Sequence, residues 1–164
     1  MVVSTSCLKG DSVKKLLLLL PLLMLIGCTP KGDSSPSEVP ETIDEKTEEV
    51  SMVLKIDNNQ LDITWENNDS VKALNELAKP ELIVTAHQYS DFEQVGSLGH
   101  TIVSNDINIK TVPGDVVLYS SNQIVIFFGS NTWSYTKLGH INLNKTELEN
   151  ILKKDNVTIT LIGG

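Results

Sequence analysis

Three histidines, His87, His100 and His140, and a scatter of carboxylates are the residues in this chain whose side chains could do acid and base or metal chemistry. Metal ligation needs converging donors, which a sequence announces through two histidines four apart on a helix or cysteines at short spacing. The three histidines lie in separate segments with no thiol beside them, so a chance surface distribution is the expectation, and no metal and no cofactor is assigned. Asp91 and Glu93 follow His87 closely and could form an acid and base pair, but with 21 acids in the chain such closeness arises by chance. No nucleophile elbow, phosphate loop or dinucleotide fingerprint occurs. No catalytic residue is assigned.

Recognition by aromatic walls has better candidates. Alternate residues of a regular strand share a face, which puts Trp133, Tyr135 and Lys137 together and His87 with Tyr89. The candidate ligand-binding residues are therefore His87, Tyr89, Phe128, Trp133 and Tyr135, a set able to hold a peptide or small ligand between aromatic walls and a few polar groups. Large aromatics are more often core than pocket. Phe128, Trp133 and Tyr135 are read first as core, with Trp133, which follows a loop, the best placed for a pocket mouth.

Bulk composition narrows the partners. All 13 basic residues are lysine, against 21 acids, for a formal charge of -8. That balance repels phosphate backbones, so nucleic acid is not an expected partner.

The N-terminal stretch reads as a secretion signal. Lys14 and Lys15 precede an eleven-residue apolar run, Leu16 to Ile26, which is too short for a span of ~20 residues and the right size for a signal-peptide core. It ends in Leu25-Ile26-Gly27-Cys28, which resembles the lipobox of bacterial lipoproteins, where the cysteine thiol receives a diacylglyceryl group. Residues 1–27 are then a leader and Cys28 a lipidated N-terminus, anchored by burying acyl CH2 groups at ~0.8 kcal/mol each. The expected location is the extracytoplasmic side of the cell membrane, with the membrane as partner through that lipid. Cys7 would leave with the leader, so no disulfide can form. Loss of Lys9, Lys14, Lys15 and Asp11 would leave 10 lysines against 20 acids, a charge of -10. Residues 28–51 hold few sizeable aliphatics and cannot bury enough to order themselves. They are read as an acidic tether reaching about 25 to 30 Å.

The remaining domain, residues 52–164, must position the aromatic set. Val53 to Ile56 and Gln60 to Trp65 flank Asp57-Asn58-Asn59 as a hairpin. Asp69 is the expected N-cap of a helix with Val71, Leu74, Leu77 and Ala78 on its apolar stripe and Pro80 at its end. Leu82 to Tyr89 reads as strand. Ser90 to Gly114 reads mostly as loop, with a short strand around Ile107 to Thr111. Three strands follow, Val116 to Tyr119, Ile124 to Phe128 and Trp133 to Leu138. The second is apolar at every position and is expected to be covered on both faces. Asn144 and Glu147 form a capping-box pair, with Leu143 and Leu148 as a hydrophobic staple. Val157 to Ile162 is the last strand.

Glu66-Asn67-Asn68-Asp69-Ser70-Val71-Lys72-Ala73-Leu74, Gly114-Asp115-Val116-Val117-Leu118-Tyr119 and Trp133-Ser134-Tyr135-Thr136-Lys137-Leu138-Gly139-His140-Ile141 resemble the first-helix entry, the opening of the central strands and the Ser-Tyr-Thr-basic-Leu-Gly-x-Ile segment of bacterial cyclophilin-like domains that are not proline isomerases. The resemblance implies a mainly β fold, a closed antiparallel β-barrel capped by two α-helices, which a two-sided apolar strand also suits. True isomerases of this fold place an arginine guanidinium against the substrate proline. This chain has no arginine, and lysine lacks the planar fork. The resemblance therefore implies a non-catalytic module binding a peptide, glycan or envelope protein, with a divergent prolyl isomerase as the alternative.

Overall fold

The computed structural model of the protein describes residues 50–164. The expected leader, Cys28 and the tether as far as residue 49 lie outside the described residues. In chain order the elements are β1 (Val53–Ile56), β2 (Asn59–Leu61), β3 (Ile63–Trp65), α1 (Asp69–Leu77), β4 (Leu82–Tyr89), β5 (Glu93–Ser97), β6 (Ile107–Lys110), β7 (Asp115–Tyr119), β8 (Gln123–Phe127), β9 (Thr132–Ile141), α2 (Lys145–Leu152) and β10 (Asn156–Ile162). The strands run in the order β2, β1, β10, β4, β5, β8, β7, β9, β3, with β6 added to β9. Their pairings are antiparallel.

The two ends of that order, β2 and β3, are neighbours along the chain with only Asp62 between them. A sheet whose first and last strands are joined so tightly has to curl round, and the result is a nearly closed barrel. Gln60 to Trp65, expected as one strand, is thus broken in two, because β2 pairs with β1 while β3 pairs with β9. Asn142 holds the break, its backbone N–H donating to the Asp62 carbonyl at 2.9 Å and its side-chain amide to Asp62 Oδ2 at 2.9 Å. The Trp65 indole N–H donates to the Met52 carbonyl at 2.7 Å, from β3 to the residue that leads into β1.

The barrel interior is filled from every side. Leu54, Ile56, Val84, Ala86, Leu118, Ile124, Ile126, Leu138, Ile159 and Leu161 meet Val71, Leu74 and Ala78 of the α1 region and Leu148 and Leu152 of α2 in one buried cluster. Helix α1 is capped by Asn68 rather than Asp69. Asn68 Oδ1 accepts from the Val71 N–H at 2.9 Å, and its amide donates to the Lys137 carbonyl at 2.8 Å. A position that must satisfy both a helix end and a neighbouring strand needs an acceptor and a donor, which asparagine has and aspartate lacks. Helix α2 carries the expected capping box between Asn144 and Glu147. Leu148 is buried, with Leu143 packed against the same cluster.

The largest departure from the sequence reading is β5. Glu93-Gln94-Val95-Gly96-Ser97 has one aliphatic residue and reads as loop, yet it is a central strand, paired to β4 on one side and β8 on the other. Its interior face is Gln94 and Gly96. A Cβ on Gly96 would collide with the Val84 side chain and crowd Thr85 O at 3.2 Å, so only glycine lets β5 lie this close to β4. The exterior face is Glu93 and Val95.

Strand β8 is covered on both sides, as its unbroken apolar run implies. Ile124 and Ile126 face the interior, whereas Val125 and Phe127 join Val117 and Tyr135 in a second, smaller cluster on the outside of the barrel.

Candidate functional site

The outer cluster is roofed incompletely, and the gap is a cavity of about 440 Å³ lined by Tyr89, Glu93, Val95, Tyr119, Gln123, Val125, Asn131, Trp133 and Tyr135. Strand register explains why these residues meet. Glu93 lies between its cross-strand partners Tyr89 on β4 and Phe127 on β8. Two pairs further along, on the same face, Val95 lies beside Val125, which in turn lies beside Val117 on β7. Directly opposed residues of an antiparallel pair point to the same face, so four strands contribute one wall.

The aromatic parts brace one another. Tyr135 packs edge-on against both Tyr119 and Phe127, with ring centroids 5.8 and 5.6 Å apart, an arrangement favoured by the ring quadrupoles. Phe92 stacks on Phe127 at 6.4 Å, fixed by its carbonyl, which accepts from the Phe128 and Gly129 N–H groups at 2.9 Å each. Trp133 and Tyr89 stand at the rim, 57% and 65% exposed. Asn131 is held by Thr111, whose Oγ1 accepts from the Asn131 N–H at 2.9 Å. Its amide donates to the Tyr135 hydroxyl at 3.1 Å.

Glu93 is the exception in this braced set. It is only 6% exposed, and its Oε2 has no hydrogen-bond partner among the described residues. No lysine is among the residues that line the cavity. Burial alone pushes its carboxyl from 4.5 up to about 7, because removal from water penalises the charged form. The Tyr135 phenol is pushed up as well, by burial first and then by the nearby Glu93 charge.

Of the five aromatic and histidine candidates, Tyr89, Trp133 and Tyr135 line the cavity. Phe128 points the other way and is 1% exposed in the interior cluster. His87 is exposed on β4 opposite Val95, beside the lining residues but not among them. Asp91 lies in the exposed turn between β4 and β5, where its Oδ1 accepts from the Gln88 amide at 3.4 Å. Tyr119 and Asn131 are polar site residues that sequence reasoning passed over, and Glu93 was weighed there only as an acid and base partner of His87 and set aside as chance. Tyr119 alternates with Val117 on a recognised strand and could have been found. Glu93 sits on the unrecognised one.

His140 belongs to another cluster. Its Nδ1 lies 2.9 Å from Asp115 Oδ1, which is also 3.4 Å from Lys137 Nζ, while Asp115 Oδ2 accepts from the Val112 N–H at 2.9 Å. Every polar contact there ties β7 to β9 or to the turn before β7, so this buried carboxylate is a latch. Lys137 is further occupied by Glu66 at 3.8 Å. His100 is exposed in the segment between β5 and β6.

Among curated proteins none matches the chain. Residues 54–162 match the model of the cyclophilin-like family, which spans the chain from β1 to β10, and the chain belongs to that family.

Proposed function

We propose that the protein is a lipid-anchored, extracytoplasmic binding protein that takes a small ligand or side chain into the aromatic cavity on the outside of its barrel. The observation that carries this reading is the cavity itself. About 440 Å³ is within the ~300 to 1,000 Å³ range of small-molecule sites, and apolar walls with few polar groups are their usual chemistry. Binding without catalysis is favoured because the described residues lining the cavity include no lysine to steer an amide nitrogen, and Lys137, on the strand that bears Trp133 and Tyr135, is held by Asp115 and Glu66.

Intrinsic fluorescence tests the binding step, since Trp65 is engaged in its hydrogen bond to Met52 while Trp133 is exposed at the rim. A fragment library added to the full chain in detergent should include members that change the emission, and Trp133→Phe should abolish the change. A library without one such member would defeat the pocket reading, and cis/trans exchange of an Ala-Pro peptide accelerated by the protein would replace it with an isomerase. The anchor rests on Leu25-Ile26-Gly27-Cys28. Cys28→Ser should move the chain from the membrane fraction to the soluble one. Retention at the membrane would remove the anchor from the proposal.

A further inference from the structure

We infer that the outer cavity binds an organic ammonium group, with Glu93 as its counter-ion and Tyr89, Tyr119, Trp133 and Tyr135 as the surrounding cage. The inference rests on the pocket reading above and adds the chemical class of the ligand.

The polar atoms around the cavity sort themselves. One N–H of the Asn131 amide is spent on Tyr135, and its Oδ1 accepts from the Thr132 N–H at 2.8 Å. Glu93 Oε2 is left without a partner among the described residues. An unpaired buried carboxylate is costly unless it takes up a proton or a cation, and a cation from outside can enter through the rim between Trp133 and Tyr89. Once inside it meets four aromatic side chains, three of them phenols, and aromatic quadrupoles attract positive charge, most strongly where water is excluded. A phosphate or carboxylate ligand would meet the opposite of what it needs. The chain's formal charge of -8 raises the local concentration of cations further.

The groups facing Glu93 from its neighbours are few. Tyr89 of β4, Tyr119 of β7 and Tyr135 of β9 are phenols, and β8 contributes the uncharged Phe127, Val125 and Gln123. Asp91 is bonded to Gln88 in the turn, and His87 sits two pairs along the strand, opposite Val95. Histidine is a residue type that changes charge near neutral pH, so His87→Gln belongs in the test as a control.

Choline is the probe, because its charge is independent of pH, and 3,3-dimethylbutan-1-ol is its neutral isostere. Titrated against the full chain by calorimetry, choline should bind at pH 8 at least tenfold more tightly than the alcohol. Its affinity should fall roughly tenfold per pH unit as Glu93 takes up its proton below neutrality, in His87→Gln as in the parent protein. Glu93→Gln, close to isosteric, should remove both the binding and its pH dependence. Trp133→Ala, at the exposed rim, should weaken choline several-fold in a chain whose fold it does not disturb. Equal binding of choline and the alcohol, or choline binding that survives Glu93→Gln, overturns the ammonium inference and leaves a neutral-ligand pocket. No binding of either probe also overturns it, while the broader pocket reading then stands or falls by the fragment screen.

Discussion

Glu93 and Gln94 are chain neighbours that face opposite sides of the same sheet, and the two sides treat a buried polar group differently. Gln94 points into the barrel, where it is fully buried, and its amide nitrogen donates to the Leu152 and Lys154 carbonyls at 2.7 Å each. The Leu152 carbonyl ends α2 and also accepts from the Lys154 N–H at 2.8 Å, and the Lys154 carbonyl lies just past the helix on the way to β10. One side chain therefore fastens a helix to a central strand. Gln94 Oε1, like Glu93 Oε2, lacks a partner among the described residues, but it is a neutral amide oxygen and costs less than a carboxylate in the same position. Inside, polarity is used to join elements. Outside, Glu93 Oε2 joins no other element among the described residues, its environment shifts its protonation instead, and its neighbours leave a cavity.

Removing the inner anchor is the strongest way to probe that contrast. Gln94→Ala takes the side-chain donor from the Lys154 carbonyl, leaves Leu152 O with only the Lys154 N–H and opens a void, and should lower the unfolding free energy by about 4 kcal/mol, measured by urea denaturation. A loss under about 1 kcal/mol would mean that α2 is held by Leu148 and Leu152 packing alone.

The outer carboxylate should behave with the opposite sign. Its folded-state pKa, about 7, lies above its ordinary 4.5, so between those values the folded state binds the extra proton and stability falls as pH rises. Below pH 4.5 neither state carries the charge and the penalty vanishes. Glu93→Gln should therefore stabilise the protein by about 3 kcal/mol at most at pH 8 and leave it nearly unchanged at pH 4. Denaturation midpoints of the two proteins across that range supply the comparison. A gain that is the same at both pH values would assign the effect to packing rather than to charge.

The same pair explains how much could be read in advance. Strands β4, β7, β8, β9 and β10 announce themselves by apolar or β-branched runs, and α2 by its capping box. Trp133, Tyr135 and Tyr89 were visible as aromatics at alternating positions. β5 was not visible, because Glu93, Gln94 and Gly96 owe their burial to partners far away in sequence: β8 about thirty residues on, α2 almost sixty. The splitting of β2 from β3 at Asp62 is hidden for the same reason. Local pattern reports what a segment prefers, whereas β5 is a strand because two finished strands leave a strand-wide slot between them. The unpartnered carboxylate of the cavity follows from that slot.

The junction at Asp62 also gives the barrel a mechanical character. Every other neighbouring pair along the main order is laced by a hydrogen-bonded ladder, but β2 and β3 meet without one, so the wall is a band with its two ends brought together rather than a seamless hoop. The clasp consists of the chain itself, the Trp65 indole on Met52 and the Asn142 grip on Asp62. Opening the wall at that clasp would break no strand ladder. The cavity, bounded by β4, β5, β8, β7 and β9, is built on the continuous part of the band, so the ladders that carry the cage are separate from the clasp.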